Sequence, residues 1–388
     1  MSLVCLFVIL LALIVSLSVT TNAVDRIQRS RRVVDNAKAL SIAEAGAEYT
    51  ILRLGQSADY PGTVNNVSFG EGAFSTTVTS LGGDACRVRS TGTLRTGRSR
   101  VVEVILSETA GALFPDGAIV TNGGVRLTGN AATNTVPASE HEAHVRANQN
   151  VTANGNTSVD GSMIAGGIIS CSGNANCRDS DYPHGQNGGQ QIPFPSSGRM
   201  QSMADDWMNQ ALAGGSRAGI TLNGGATLTI TSPVYINGNI KLSSNSRLEI
   251  VGNGVVYVTG NVQLSGNAVL NNASTLVAAG TVQQSGNAVY RVTGEPTRNA
   301  LVSLSADATQ AVQLTGNADA SLMGLVFAAR GGIKISGNGT VYGGLIAAST
   351  SDQSVSVNGN AAINYPANLI QNSEVLPRQL RPESWLER

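Results

Sequence analysis

Apolar and polar positions change rhythm twice along the chain. From Leu3 to Val19 every residue is apolar or small and none is charged. Beyond that, Asp25, Arg26, Arg29, Arg31, Arg32, Asp35 and Lys38 interleave with Val24, Ile27, Val34 and Leu40, with no proline before Pro61 and no glycine before Gly46. This predicts one helix over 1–55, apolar first and amphipathic second. About 17 apolar residues is the short end of a membrane span. Leu3, Val4, Phe7, Leu10, Leu13 and Ile14 are therefore expected to sit in a membrane. No basic region precedes the segment and no small-residue cleavage site clearly follows it, unlike a secretory signal peptide.

From 56 to 110 the rhythm is strand-like. Runs near 73–80, 86–90 and 98–106, with turns at Gly82-Gly83 and Thr96-Gly97, predict a small antiparallel meander packed on the helix, with Cys86 as a buried thiol.

From Phe114 a third rhythm begins. A five-residue unit recurs as Leu127-Thr128-Gly129-Asn130-Ala131, Leu264-Ser265-Gly266-Asn267-Ala268, Gln284-Ser285-Gly286-Asn287-Ala288, Leu314-Thr315-Gly316-Asn317-Ala318 and Ile335-Ser336-Gly337-Asn338-Gly339, with looser copies at Asn156 and Asn174. In the C-terminal half Asn223, Asn245, Asn267, Asn287, Asn317, Asn338 and Asn360 follow at steps of 22, 22, 20, 30, 21 and 22 residues. Short β-rich runs lie between them, such as 226–230 and 255–258. A coil of this length cannot bury its inner face alone, but stacked coils make a continuous core. The pattern predicts a right-handed parallel β-helix over 111–370, of roughly ten coils and about 50 Å at ~4.8 Å per coil. The glycines turn tight corners, and the asparagines form a ladder of side-chain amides. Hairpin turns of a β-sandwich are the alternative for Gly-Asn pairs, but they do not hold a register over so many steps. The 30-residue step predicts one coil with a bulge around Gly294-Glu295-Pro296-Thr297.

Prolines and glycines mark an inserted loop and short helix over 178–218. The helix, near 199–212, carries Met200, Met203, Trp207, Met208 and Leu212, a stripe expected to pack on the flank or end of the coils. The tail, 371–388, ends in Trp385-Leu386 and is expected to dock on a flank or on another subunit.

The fold class is thus mixed: a long helix, a small antiparallel sheet and a β-helix. Composition narrows the chemistry. With 25 basic and 25 acidic residues among 388, bulk charge offers nothing to nucleic acid. Catalysis on a β-helix needs converging carboxylates. Between Ala211 and Ile363 the acidic residues are Glu249, Glu295, Asp307, Asp319 and Asp352, scattered in sequence. No enzymatic role, cofactor or metal is expected. The one histidine cluster, Glu140-His141-Glu142-Ala143-His144, lacks the four-residue spacing of the zinc-hydrolase helix; with His184 it leaves a metal site as the lesser alternative to a solvated loop. Cys171 and Cys177 bracket a Gly-Asn corner, which favours a disulfide in an exported domain; free thiols are the alternative.

The apolar start, its amphipathic continuation and the stretch Leu40-Ser-Ile-Ala43-Glu44-Ala45-Gly46-Ala47-Glu48 resemble the N-terminus of type IV pilin-like proteins, with the PilX-type minor pilins and the pseudopilins as the nearest flavour. Cys5 stands where many pilins carry a glutamate, a position that is often not acidic in tip-type minor subunits. The resemblance covers about 1–55 and more loosely 56–108. It implies a bacterial subunit held in the inner membrane, handed to a pilus assembly machinery and built into an extracellular helical filament as a homo-oligomer, with the apolar residues Leu3 to Ile14 packed against other helices. A low-abundance tip adhesin or initiator, its surface or glycan ligand unidentified, and a membrane-anchored β-helix that never polymerises are the rival roles.

Overall fold

The computed structural model of the protein describes residues 3–56, 63–82, 85–112, 114–137, 140–176, 186–189, 191–192, 194–195, 197–293, 297, 300–317, 319–370, 372–373, 376 and 378–387. It divides into two compact units, Met1–Thr109 with Leu380–Arg388, and Ala110–Gln379.

In the first unit, helix α1 (Leu3–Gln56) runs unbroken for 54 residues, roughly 80 Å at 1.5 Å per residue. Strands β1 (Thr63–Phe69), β2 (Gly72–Gly82), β3 (Ala85–Leu94) and β4 (Ser99–Ala112) form an antiparallel meander. The helix lies on it through small residues. Ala39, Ala43 and Ala47 are fully buried with Phe74, Val88, Val102, Val104 and Leu106. A Cβ at Gly92 would stand 2.3 Å from the Ala39 carbonyl oxygen, so glycine sets the closeness of helix and sheet.

Two features differ from the sequence reading. Strand β1 precedes the three expected strands. The tail is expected to dock on a flank or on another subunit; instead Arg378–Glu387 is a fifth strand beside β4, at the edge of the sheet. Pro382 fits that edge position, where a missing N–H costs no ladder bond.

The second unit is a parallel β-solenoid. In the coil made of Val255–Val258, Val262–Leu264 and Val269–Asn272, each strand pairs in parallel with its counterpart in the next coil, Thr275–Ala278, Val282–Gln284 and Val289–Val292. Leu242, Leu264, Gln284, Leu314, Ile335, Val357 and Leu127 form one buried inward file, apolar at every level but that of Gln284.

Stacking order departs from chain order. The chain starts in the interior of the stack, with the coil 119–136. The coils 145–159 and 163–176 follow toward one end. Helix α2 (Ser197–Ala213) then carries the chain back, and Ser216–Leu222 opens the opposite end, pairing with Val234–Leu242. Coils follow in sequence until 343–366, the last, pairs in parallel with the first: Val355–Gly359 on Val125–Gly129, and Ala362–Pro366 on Ala132–Val136. The stretch expected as an insertion is therefore a return strap. Its helix is about 26 Å long at 1.5 Å per residue, near the ~24 Å of five coil steps at ~4.8 Å. Those five steps separate the coil of Arg330, which donates to the side-chain Oε1 of Gln201, from the coil opened by Ser216.

The strap explains runs without alternation. Val255–Val258, Thr275–Ala278 and Ala300–Ser303 are buried at all four positions, as strands covered on both faces are. Met200, Ala204, Trp207 and Ala211 of α2, at 4–3–4 spacing, are the buried side of that cover.

Candidate functional site

The residues that the sequence singles out fall on α1 and on one corner of the solenoid. In α1 the side chains of Leu3, Val4, Phe7, Leu10 and Ile14 lie outside the described ones, while Leu13 is 63% exposed. Leu17, Val24, Ile27, Val33 and Val34 are also exposed, at positions short of the stretch that meets the sheet. A membrane span is expected over 3–19, yet among the described residues no helix is long and apolar enough to cross a membrane. Of the side chains there only Leu11, Leu13 and those from Ser16 onward are described, and Ser16, Ser18, Thr20, Thr21 and Asn22 soon break the apolar run. Thr20 and Thr21 turn their hydroxyls back onto the Ser16 and Leu17 carbonyls, which occupies them within the helix.

Where helix meets sheet, a groove of about 330 Å³ opens between Ala37, Lys38, Ser41 and Ile42 of α1 and Phe69, Gly70, Glu71 and Leu94 of the sheet turns. Lys38 Nζ donates to Glu71 Oε2 at 2.6 Å across it. That bond and its charge raise the lysine's pKa and lower the glutamate's.

The corner asparagines form one directed file. Asn174, Asn156, Asn130, Asn360, Asn338, Asn317, Asn287, Asn267 and Asn245 stand in that order, and each Nδ2 donates to the Oδ1 of the next over 2.7–3.4 Å. The file runs through the junction of first and last coils, where Asn130 donates to Asn360 at 2.7 Å. Asn223 does not join it. Leu222 is in register with Leu242, which brings Gly225 rather than Asn223 level with Asn245; Asn223 instead accepts from the Ser243 hydroxyl. The ladder amides are exposed, not buried. The 30-residue step is one coil, since Asn317 meets Asn287 directly; of its expected bulge, 294–296 lie outside the described residues.

Cys171 is disulfide-bonded, and Cys177 lies outside the described residues. Cys86 is free, half-buried rather than buried, and burial raises its thiol pKa. His141 and His144 sit on an irregular bend, not a helix, and are bonded separately: His141 Nδ1 lies 2.5 Å from Asp160, and His144 Nδ1 accepts from the Ser162 N–H. His184 is outside the described residues. Among the described residues no group of three His, Cys, Asp or Glu is arranged to hold a metal. Glu249 accepts from Arg247 and Asn271, and Asp307 caps its own turn through the Thr309 and Gln310 N–H groups, which lower its pKa.

One polar cluster escaped the sequence reading. The phenol of Tyr365 is buried and donates to Asp116, whose other oxygen accepts the Asn368 N–H at 2.9 Å; Glu142 accepts the same N–H at 3.2 Å. Burial, then the Asp116 charge, pushes the Tyr365 pKa up. The cluster ties the first residues of the solenoid to its last coil. No short motif signals it, because its members are 249 residues apart.

Residues 221–371 match a family described as a domain of unknown function (DUF7305). No curated protein matches the chain. Among solved structures, the competence-associated pilin ComZ from Thermus thermophilus aligns over 91% of this chain and 97% of its own at 12% identity, with a TM-score of 0.27, a superposition too loose to bear on fold or function.

Proposed function

We propose that the protein is a structural, non-enzymatic subunit of a pilin-like filament on the bacterial surface, assembled through α1 and carrying a β-solenoid as its cargo. One observation carries the reading. The first half of α1 presents Leu13, Leu17, Val24, Ile27 and Val34 to solvent at spacings of 3, 4 and 7 residues, a stripe its own sheet does not reach. Exposed apolar area of that kind marks an association surface. The resemblance of 40–48 to pilin-like proteins gives the surface its partners, which are equivalent helices. Before assembly the apolar opening segment is held in the inner membrane and delivered by the pilus machinery. Because lipid is already apolar, transfer into a filament draws its net gain from packing and polar pairing.

Shearing cells, imaging the released filaments and weighing their subunits by mass spectrometry tests this. Abundant subunit in filaments supports the reading. Trace subunit points to a tip adhesin or initiator, and filament-free, membrane-retained protein overturns assembly altogether.

A further inference from the structure

We infer that one face of the solenoid binds a linear acidic polysaccharide, a polymer of the uronate kind, laid along the stack of coils. This goes beyond the filament reading and does not depend on it.

The face is built by register. In the strands that lead into the Gly-Asn corner, one outward residue per coil stands between two inward apolar ones, as Gln263 does between Val262 and Leu264. From Lys241 the file passes level by level through Gln263, Gln283 and Gln313 to Lys334. It crosses the junction of last and first coils through Ser356 and reaches Arg126. Two residues further along each strand a second file runs beside it, with Thr315, Ser336, Asn358 and Thr128 in register. Two residues beyond that stands the asparagine ladder. None of these residues is acidic or aromatic.

A chain with 25 basic and 25 acidic residues thus carries a strip of three cations and no carboxylate. Lys241 and Arg126 are exposed and Lys334 is half-buried. Among the described residues none of the three is ion-paired. Glu249 lies in a separate sheet, and Asp307 and Asp352 lie in turns. Gln263 and Gln283 meet only at 3.5 Å, which leaves their amides open to a ligand.

Charge and spacing name the ligand class. At ~4.8 Å per coil, Lys241 and Lys334 stand about 19 Å apart, and Lys334 and Arg126 about 10 Å. An extended pyranose residue advances by about one coil step, so carboxylates along such a chain come level with all three cations. Its ring hydroxyls then meet the amides and hydroxyls between them. Complementary charge steers the polymer, and the amide rows fix its track. Nucleic acid fits less well. A duplex presents a charge about every 1.7 Å, far denser than these cations, and the files offer no ring on which a base could stack.

The full chain, held in detergent, is passed over immobilised polygalacturonate. Retention at low salt that falls as salt rises is expected. The triple variant Lys241→Gln, Lys334→Gln and Arg126→Gln is expected to bind about tenfold more weakly. Arg95→Gln with Arg98→Gln and Arg100→Gln, which removes the same charge from the sheet of the first unit, is expected to bind as the original does. Gln283→Ala with Gln313→Ala keeps every charge and is expected to weaken binding several-fold with unchanged salt dependence. All the solenoid changes are at outward positions, and melting curves check that the coils are intact. No retention of the original chain, or equal loss in the two charge variants, overturns the proposal. So does full binding by the glutamine variant, which would leave charge alone, and so does equal retention on single- or double-stranded DNA, which would make the face a general polyanion surface.

Discussion

Helix α2 and the first half of α1 both carry apolar residues at helical spacing, and the structure treats them oppositely. In α2, Met200, Ala204, Trp207 and Ala211 are buried against the coils, so the stripe is a core contribution. In α1, Leu17 is 69% exposed and Ile27 55%. A stripe that is already covered reports on the fold of one chain. One left open on a continuous helix is, on the proposed function, the surface that would meet a second copy. Hydrophobic periodicity alone does not separate the two; what lies opposite does.

The sharpest way to break this comparison is to damage each stripe and read both outcomes. Leu17→Lys is expected to abolish assembly while leaving the thermal melt of the chain unchanged, because on the proposed function the lysine would enter an interface between copies and not the core of one chain. Trp207→Ala is expected to lower solenoid stability by about 3–5 kcal/mol without moving the assembly defect onto α1. Sedimentation of sheared material and denaturant unfolding of the same samples give the two readouts. If Leu17→Lys melts the chain, or leaves filaments normal, the stripe belongs to the subunit and not to its neighbours.

A second comparison sets the corner backbone against the corner side chains. Gly337 has φ 94, and a Cβ there would lie 2.3 Å from the Gly316 carbonyl oxygen. Gly337→Ala is expected to cost roughly 2–4 kcal/mol through left-handed backbone strain and overpacking. The ladder amides next to it are exposed, so water replaces a lost partner. Each bond is then worth about 0.5–1.5 kcal/mol, less than burial would give. Asn338→Ala removes two bonds of 2.9 Å, whereas Asn174→Ala, at the end of the file, removes one of 3.1 Å. Denaturant midpoints should rank Gly337→Ala first, then Asn338→Ala at about twice Asn174→Ala. Equal costs for the two asparagines would make them turn formers and not members of a coupled file.

These cases show what the sequence exposes and what it hides. Each Gly-Asn corner is local and its recurrence is regular, so the coil, its corner and most of the ladder could be read from the repeated unit, as at 264–268 and 335–339, and its spacing. Stacking order is not local. Asn130 meets Asn360 because the chain returns along α2, and no period in the sequence encodes that return. Asn223 looked like a ladder member by spacing and fails by register, because Gly225 takes its level. The unalternated run 255–258 was a visible trace of the strap, since a strand buried on both faces needs no polar side. The 4–3 spacing from Leu13 to Arg31 was equally visible. The sequence alone did not show which face the sheet would occupy, and so which stripe would stay free.

The smallest expected effect returns to the groove where α1 meets its sheet, and asks whether the first unit holds a charge pair that matters for folding as well as for covering the groove. Lys38 and Glu71 are both exposed, so screening keeps their contribution small. Its sign is still defined. Glu71 is held below its ordinary 4.5 by the lysine, so its share is present above that value and is lost as pH falls through the lowered folded-state pKa. Lys38 is held above its ordinary 10.5 by the glutamate, so its share is present below that value and is lost as pH rises through the raised one. Between these limits the gap between the original protein and Glu71→Gln should be flat, and it should close in acid. A gap that persists below the lowered glutamate pKa would mean that Glu71 acts by packing around Phe69 and Leu94 and not by charge, and the groove would then be shaped by the sheet turns alone.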